Sequence, residues 1–135
     1  MASETMGAPD LRPIQNKFVE QGIREERAHI RSVEQWQTFW RRFTETMAPE
    51  IDFTRNDVVL VLMGTQGSGG YSVRIGGVSL VSEGVKVELL FCAPPRDSTQ
   101  LGVVTSPYDN KLIPKVNGTV TWLVQKGQAG RPPCN

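Results

Sequence analysis

"DVVLVLM", Asp57 to Met63, is the stretch on which the reading of this chain turns. One carboxylate is followed by six apolar side chains, three of them β-branched. The run is short for a helix, and it leaves no polar face. It reads as a strand covered on both faces, or as the central strand of a sheet. Such a strand needs apolar partners on either side, and the flanking sequence offers them.

Upstream lies "SVEQWQTFWRRFTETM", Ser32 to Met47. Ser32 is a good N-cap, and Gln35 three residues later completes a capping box. Val33, Trp36, Phe39, Trp40, Phe43 and Met47 recur at intervals of three and four, which predicts one apolar stripe on a helix ended by Pro49. Burying large apolar side chains is worth about 1.5–3 kcal/mol each, so this helix must cover a broad apolar surface. Residues 18–31 are compatible with two states. Arg24 to Arg27 suit a helix; Gly22 and the alternation Ala28–Ile30 favour an edge strand, which is the reading adopted. Residues 1–17 are polar, with Pro9 and Pro13, and read as a flexible leader.

Downstream, "YSVRI" alternates, Gly76-Gly77 permits a bulge, "SEG" at 82–84 is a turn, and Val85, Val87, Leu89 and Phe91 alternate cleanly. These features predict a hairpin over 71–81 and 84–91. Residues 103–115 read as a short strand or extended segment punctuated by Pro107 and Pro114. Asn117-Gly118 is a turn, and 119–124 form a last strand. The expected fold is a single α+β domain over residues 18–126. One main amphipathic helix packs on a mostly antiparallel sheet of about five strands, and 127–135 form a flexible tail.

The chain has 135 residues, 39% hydrophobic and 21% charged, with a net charge of +1. That length fits one domain. The charge balance argues against a general nucleic-acid binder, which carries a strongly basic face. No apolar run reaches the roughly 20 residues of a membrane span. The polar start lacks the apolar core of a signal peptide, so the chain as given reads as soluble. Cys92 and Cys134 match no zinc or redox spacing. Cys92 reads as a buried thiol in a strand and Cys134 as an exposed tail residue; a bond between them stays open. His29 is the single histidine and cannot build a multi-histidine metal site.

"MGTQGSGGYSVRI", Met63 to Ile75, raises the question of chemistry. Gly64 and Gly69 have P-loop separation, but Gly70 and Tyr71 stand where a lysine and a hydroxyl belong. Gly67-Ser68-Gly69 leads into a strand, not into the helix of a dinucleotide fingerprint. The glycines make an irregular turn, and a loop this poor in side chains also lets another chain approach. Ser68 and Ser106 have no nearby base in sequence, and Glu25/Glu26 and Asp52/Asp57 read as solvated carboxylates. The reading is of a non-enzyme without cofactor or metal. "SPYD", Ser106 to Asp109, is either an edge segment held out of a ladder by proline or a rigid platform for a tyrosine anchor. Gly69, Gly70, Tyr71, Pro107 and Tyr108 are therefore the candidate partner-binding residues.

The order Gly69-Gly70-Tyr71-Ser72-Val73, then a Val-rich strand, then "VVTSPYDNKLIP", with Trp36 and Trp40 on a preceding helix, resembles the PrcB C-terminal domain family over about residues 22–125. The resemblance implies an accessory protein of a protease complex, with a subtilisin-like protease as partner, an exported or envelope setting, and no catalytic residues. Two other readings compete with it. One is a protease inhibitor that inserts the glycine loop, as chagasin-like inhibitors do. The other is a small-ligand or glycan-binding module with a pocket lined by Tyr71, Tyr108 and Trp122.

Overall fold

The computed structural model describes residues 7–135. Its organising element is the strand anticipated at 57–63, here β2 (Asn56–Leu62), in which Val58 to Leu62 are all buried. β2 lies between β1 (Glu26–Ile30) and β5 (Tyr108–Pro114), antiparallel to both. Alternation splits its side chains. Val58, Leu60 and Leu62 join one core with two helices, α1 (Arg12–Glu20) and α2 (Val33–Arg41). Val59 and Val61 join a second core against β3 (Ser72–Val81) and β4 (Gly84–Ala93).

This arrangement corrects the expected fold class. Among the described residues there are two nine-residue helices, and six strands in two three-stranded sheets, not one helix on a sheet of about five strands. The second sheet has the order β3-β4-β6, with β6 (Thr119–Gln128) parallel to β4. The layers run helices, first sheet, second sheet. Alternation marks which residues of a strand share a face, but it does not say which strands share a sheet.

The hairpin formed as anticipated. β3 and β4 pair antiparallel, and the register shifts by one residue between Ile75 and Val78, where Gly76 and Gly77 form a bulge. The cap formed too: Ser32 Oγ accepts from the Gln35 amide at 3.1 Å, while Gln35 Oε1 accepts from the Arg31 amide at 2.7 Å. α2 nevertheless ends at Arg41, well before Pro49. The chain bends back so that the Pro49 carbonyl accepts from the Trp36 indole at 2.8 Å and Thr46 Oγ1 accepts from Trp40 at 3.3 Å. Buried indole N–H groups need such partners. Phe43 still reaches the core, but Met47 is 79% exposed and Val33 is 52% exposed, so neither belongs to the apolar stripe.

Two stretches expected to be flexible carry structure. Within 1–17, whose first six residues lie outside the described residues, α1 begins at Arg12 with Pro13 in its first turn, and Leu11 and Ile14 are buried. The helix continues into the segment read as a strand, where Phe18 is buried edge-on against Phe43 at 5.0 Å. Gly22, at φ +58°, ends it: its amide donates to Val19 and the Ile23 amide to Phe18, a Schellman closure with Ile23 buried. Gly22 thus marks a helix end rather than the approach to a strand. Within 127–135, β6 runs on to Gln128, and Cys134 is buried and bonded to Cys92. Cys92 is buried in its strand as expected; Cys134, read as an exposed tail residue, is buried, and the bond left open by the sequence is formed.

Candidate functional site

The two sheets join along a seam between β3 and β5. There the Ile75 amide donates to Asp109 Oδ2 at 2.8 Å. On the Tyr71 and Tyr108 side of this joint lies an open groove of about 520 Å³. One wall is Tyr71–Val73 at the start of β3; the other is Thr105–Tyr108 leading into β5; Gln15, Asn16 and Val19 of α1 close it on a third side. Tyr71, Pro107 and Tyr108, far apart in sequence, therefore line one cavity.

Each tyrosine is rooted in a different core. Tyr71 packs against the core between the sheets, and Tyr108 against the core under the helices. Tyr108 sits edge-on to Phe18 at 5.5 Å, and its hydroxyl donates to Gln15 Oε1 at 2.7 Å. Burial, and then the negative charge of Asp10, raise its phenol above the ordinary tyrosine range. Pro107 has no N–H for a ladder, yet its carbonyl accepts from the Met63 amide at 2.8 Å, which fixes the wall to the end of β2. Ser106 Oγ is buried beside them and has no hydrogen-bond partner among the described residues.

Gly69 and Gly70 lie next to this groove and do not line it. The Gln66 amide donates to Thr105 O, the Gly69 amide donates to Leu101 O at 3.1 Å, and Thr105 Oγ1 donates to Ser68 O at 3.0 Å. Part of the loop's backbone is thus taken up by the 101–105 segment. Gly70, at φ +88°, is needed for close approach: a Cβ there would fall 2.9 Å from Pro94 Cβ. The same segment exposes Leu101, Val103 and Val104 together, at 77%, 58% and 47%.

Chemically the groove is uncharged. Its walls offer hydroxyls, amides and aromatic faces, with no carboxylate, amine or imidazole among the described residues. Nor does any group of three or more His, Cys, Asp and Glu among the described residues assemble with metal-binding geometry. No helix among them is long and apolar enough to cross a membrane.

Residues 58–111 match the family model PrcB C-terminal. The match supports the resemblance drawn from the sequence and is consistent with a domain associated with a protease complex. It runs from β2 into β5, so it contains the glycine loop, the hairpin and both tyrosines, while the α1 wall of the groove lies outside it. No curated protein and no solved structure matches the chain.

The α1 wall falls in residues whose polarity and prolines read as a leader. The sequence does carry a signal: Leu11, Ile14 and Phe18 fall at helical spacing around Pro13. A second cluster was misjudged. Asp57, read as solvated, is fully buried; its Oδ1 lies 2.6 Å from Lys115 Nζ and its Oδ2 2.8 Å from His29 Nε2. Lys115 Nζ also donates to Arg31 O, and Arg31 Nη2 donates to Val116 O at 2.6 Å. These contacts tie the end of β1 and the start of β2 to the end of β5. A buried carboxylate with its hydrogen-bonding capacity filled in this way serves as a structural fastener.

Proposed function

We propose that this domain is a non-enzymatic accessory module that binds a protein partner within a protease complex through the Tyr71–Tyr108 groove and its apolar rim. One observation carries the reading: Tyr71, Pro107 and Tyr108 converge on a single open, uncharged groove. Tyrosines held by rigid cores make large contacts at little entropic cost, as interface anchors do. Leu101, Val103 and Val104 extend the apolar surface beside it. The family match supports a protease-complex setting, and a subtilisin-like protease is the partner class the resemblance implies. Gly69 and Gly70 act on this reading as spacers that let the 94–105 segment close on the loop.

The inhibitor reading has less support, because the loop that would enter a protease cleft has its Gln66 and Gly69 amides engaged internally. The glycan reading also loses a wall, since Trp122 packs against the core between the sheets and away from the groove. The test compares wild type with Asn16→Arg and Tyr71→Ala for binding to the cognate protease subunit, alongside a distant control, Leu80→Ser. Weakened binding by both groove variants, with turnover of the protease undiminished by the wild-type domain, supports the proposal. Equal binding by all four proteins refutes it, and suppressed turnover transfers the case to inhibition.

A further inference from the structure

Leu90 and Cys92 alternate with Leu89 and Phe91 on β4, so they point away from the core between the sheets. With Cys134 they make a separate small cluster. After β6 the chain folds back over them. The Ala129 amide donates to Ala93 O at 2.8 Å, Arg131 to Gln128 O at 3.2 Å, and Cys134 to Arg131 O at 2.6 Å. The Cys92–Cys134 disulfide then closes this turn onto the strand, with the Cα atoms 5.9 Å apart. Gly127 stands opposite Cys92 in the β4–β6 register, and a Cβ there would come 3.1 Å from Cys134 Sγ. The missing side chain is the gap that admits the sulfur.

We propose that residues 129–134 form a redox-held cap on the outer face of β4. Bonded, the cap buries Leu90 and Cys92; reduced, it lifts and exposes them while the rest of the fold persists. The attachment is slight without the bond. No residue of 129–134 belongs to either of the two large cores. Beyond the β6 ladder, the Ala129–Ala93 hydrogen bond is the one backbone tie from this segment to β4 among the described residues. Closing the cap takes two electrons and two protons from the Cys92 and Cys134 thiols. A disulfide donor accepts them and leaves as two thiols; a dithiol reductant reverses the exchange. The capped form accordingly belongs to an oxidising compartment, where such bonds persist.

The test uses the full chain, folded under oxidising conditions and then treated with dithiothreitol. Mass spectrometry should first find the oxidised protein two hydrogens lighter than its dithiol form. Reduction should make both cysteines alkylable without denaturant and speed amide exchange at Ala129 and Cys134 by at least about tenfold, with far-ultraviolet circular dichroism unchanged, as expected of a local opening. Cys134→Ser should reproduce the exchange pattern without reductant. Two free thiols in the oxidised protein, unchanged exchange after reduction, or global unfolding in both the reduced protein and the variant would each overturn the proposal.

Discussion

Phe18→Ala tests whether the first helix is part of the domain or a loosely attached leader. The side chain is fully buried, with Phe43 edge-on at 5.0 Å and Tyr108 edge-on at 5.5 Å. Truncation removes the transfer free energy of the ring and leaves a cavity between α1, the turn after α2 and the start of β5. Phe→Ala changes at such sites cost about 3–5 kcal/mol. A domain of this size has a total stability of about 5–15 kcal/mol, so the loss is a large share of it. Each kcal/mol lowers Tm by about 3–5 °C at this chain length, which places the shift at about 9–25 °C. Val19→Ala, on the exposed side of the same helix, is the control and should stay within about 0.5 kcal/mol of wild type. The assay is urea unfolding followed by tryptophan fluorescence, with Trp36 and Trp40 in the affected core reporting directly. A Phe18→Ala cost below about 1 kcal/mol would show that α1 is not docked, and the α1 wall of the groove would go with it.

Two further outcomes rest on the same geometry. Asp57→Ala should cost about 2–4 kcal/mol, below the cost of breaking a fully buried pair because the freed Lys115 can reach water. In a double-mutant cycle with Lys115→Ala the two losses should fall short of additivity by more than about 0.5 kcal/mol; simple additivity would dissolve the fastener. Tyr71→Phe leaves Tyr108 as the sole tyrosine, so absorbance at 295 nm reads its titration alone. Its midpoint should lie above 10, since burial raises the Tyr108 phenol. A raised folded-state value means that this contribution to stability is complete below pH 10 and is lost as pH rises through the folded-state midpoint. A midpoint at or below 10 would contradict the packing described for Tyr108.

Whatever rests on neighbours along the chain is legible in the residues themselves. Six apolar residues after Asp57 gave a strand buried on both faces. Gly76-Gly77 placed the bulge, and Ser32 with Gln35 placed the start of α2. The phenomena behind these features, alternation, backbone angles and capping, act over a few residues and can be read there. Whatever depends on distant segments meeting arises only in the assembled fold. β6 chose β4 as a parallel partner, which alternation does not encode. Asp57 became a buried fastener because cationic and imidazole groups arrive from positions 115 and 29. The groove exists because β3 and β5 meet at Asp109 and diverge at the two tyrosines, under a helix whose apolar spacing was visible but whose docking surface was not. Desolvation and packing are properties of the assembled surroundings, so they come into being only when those surroundings form.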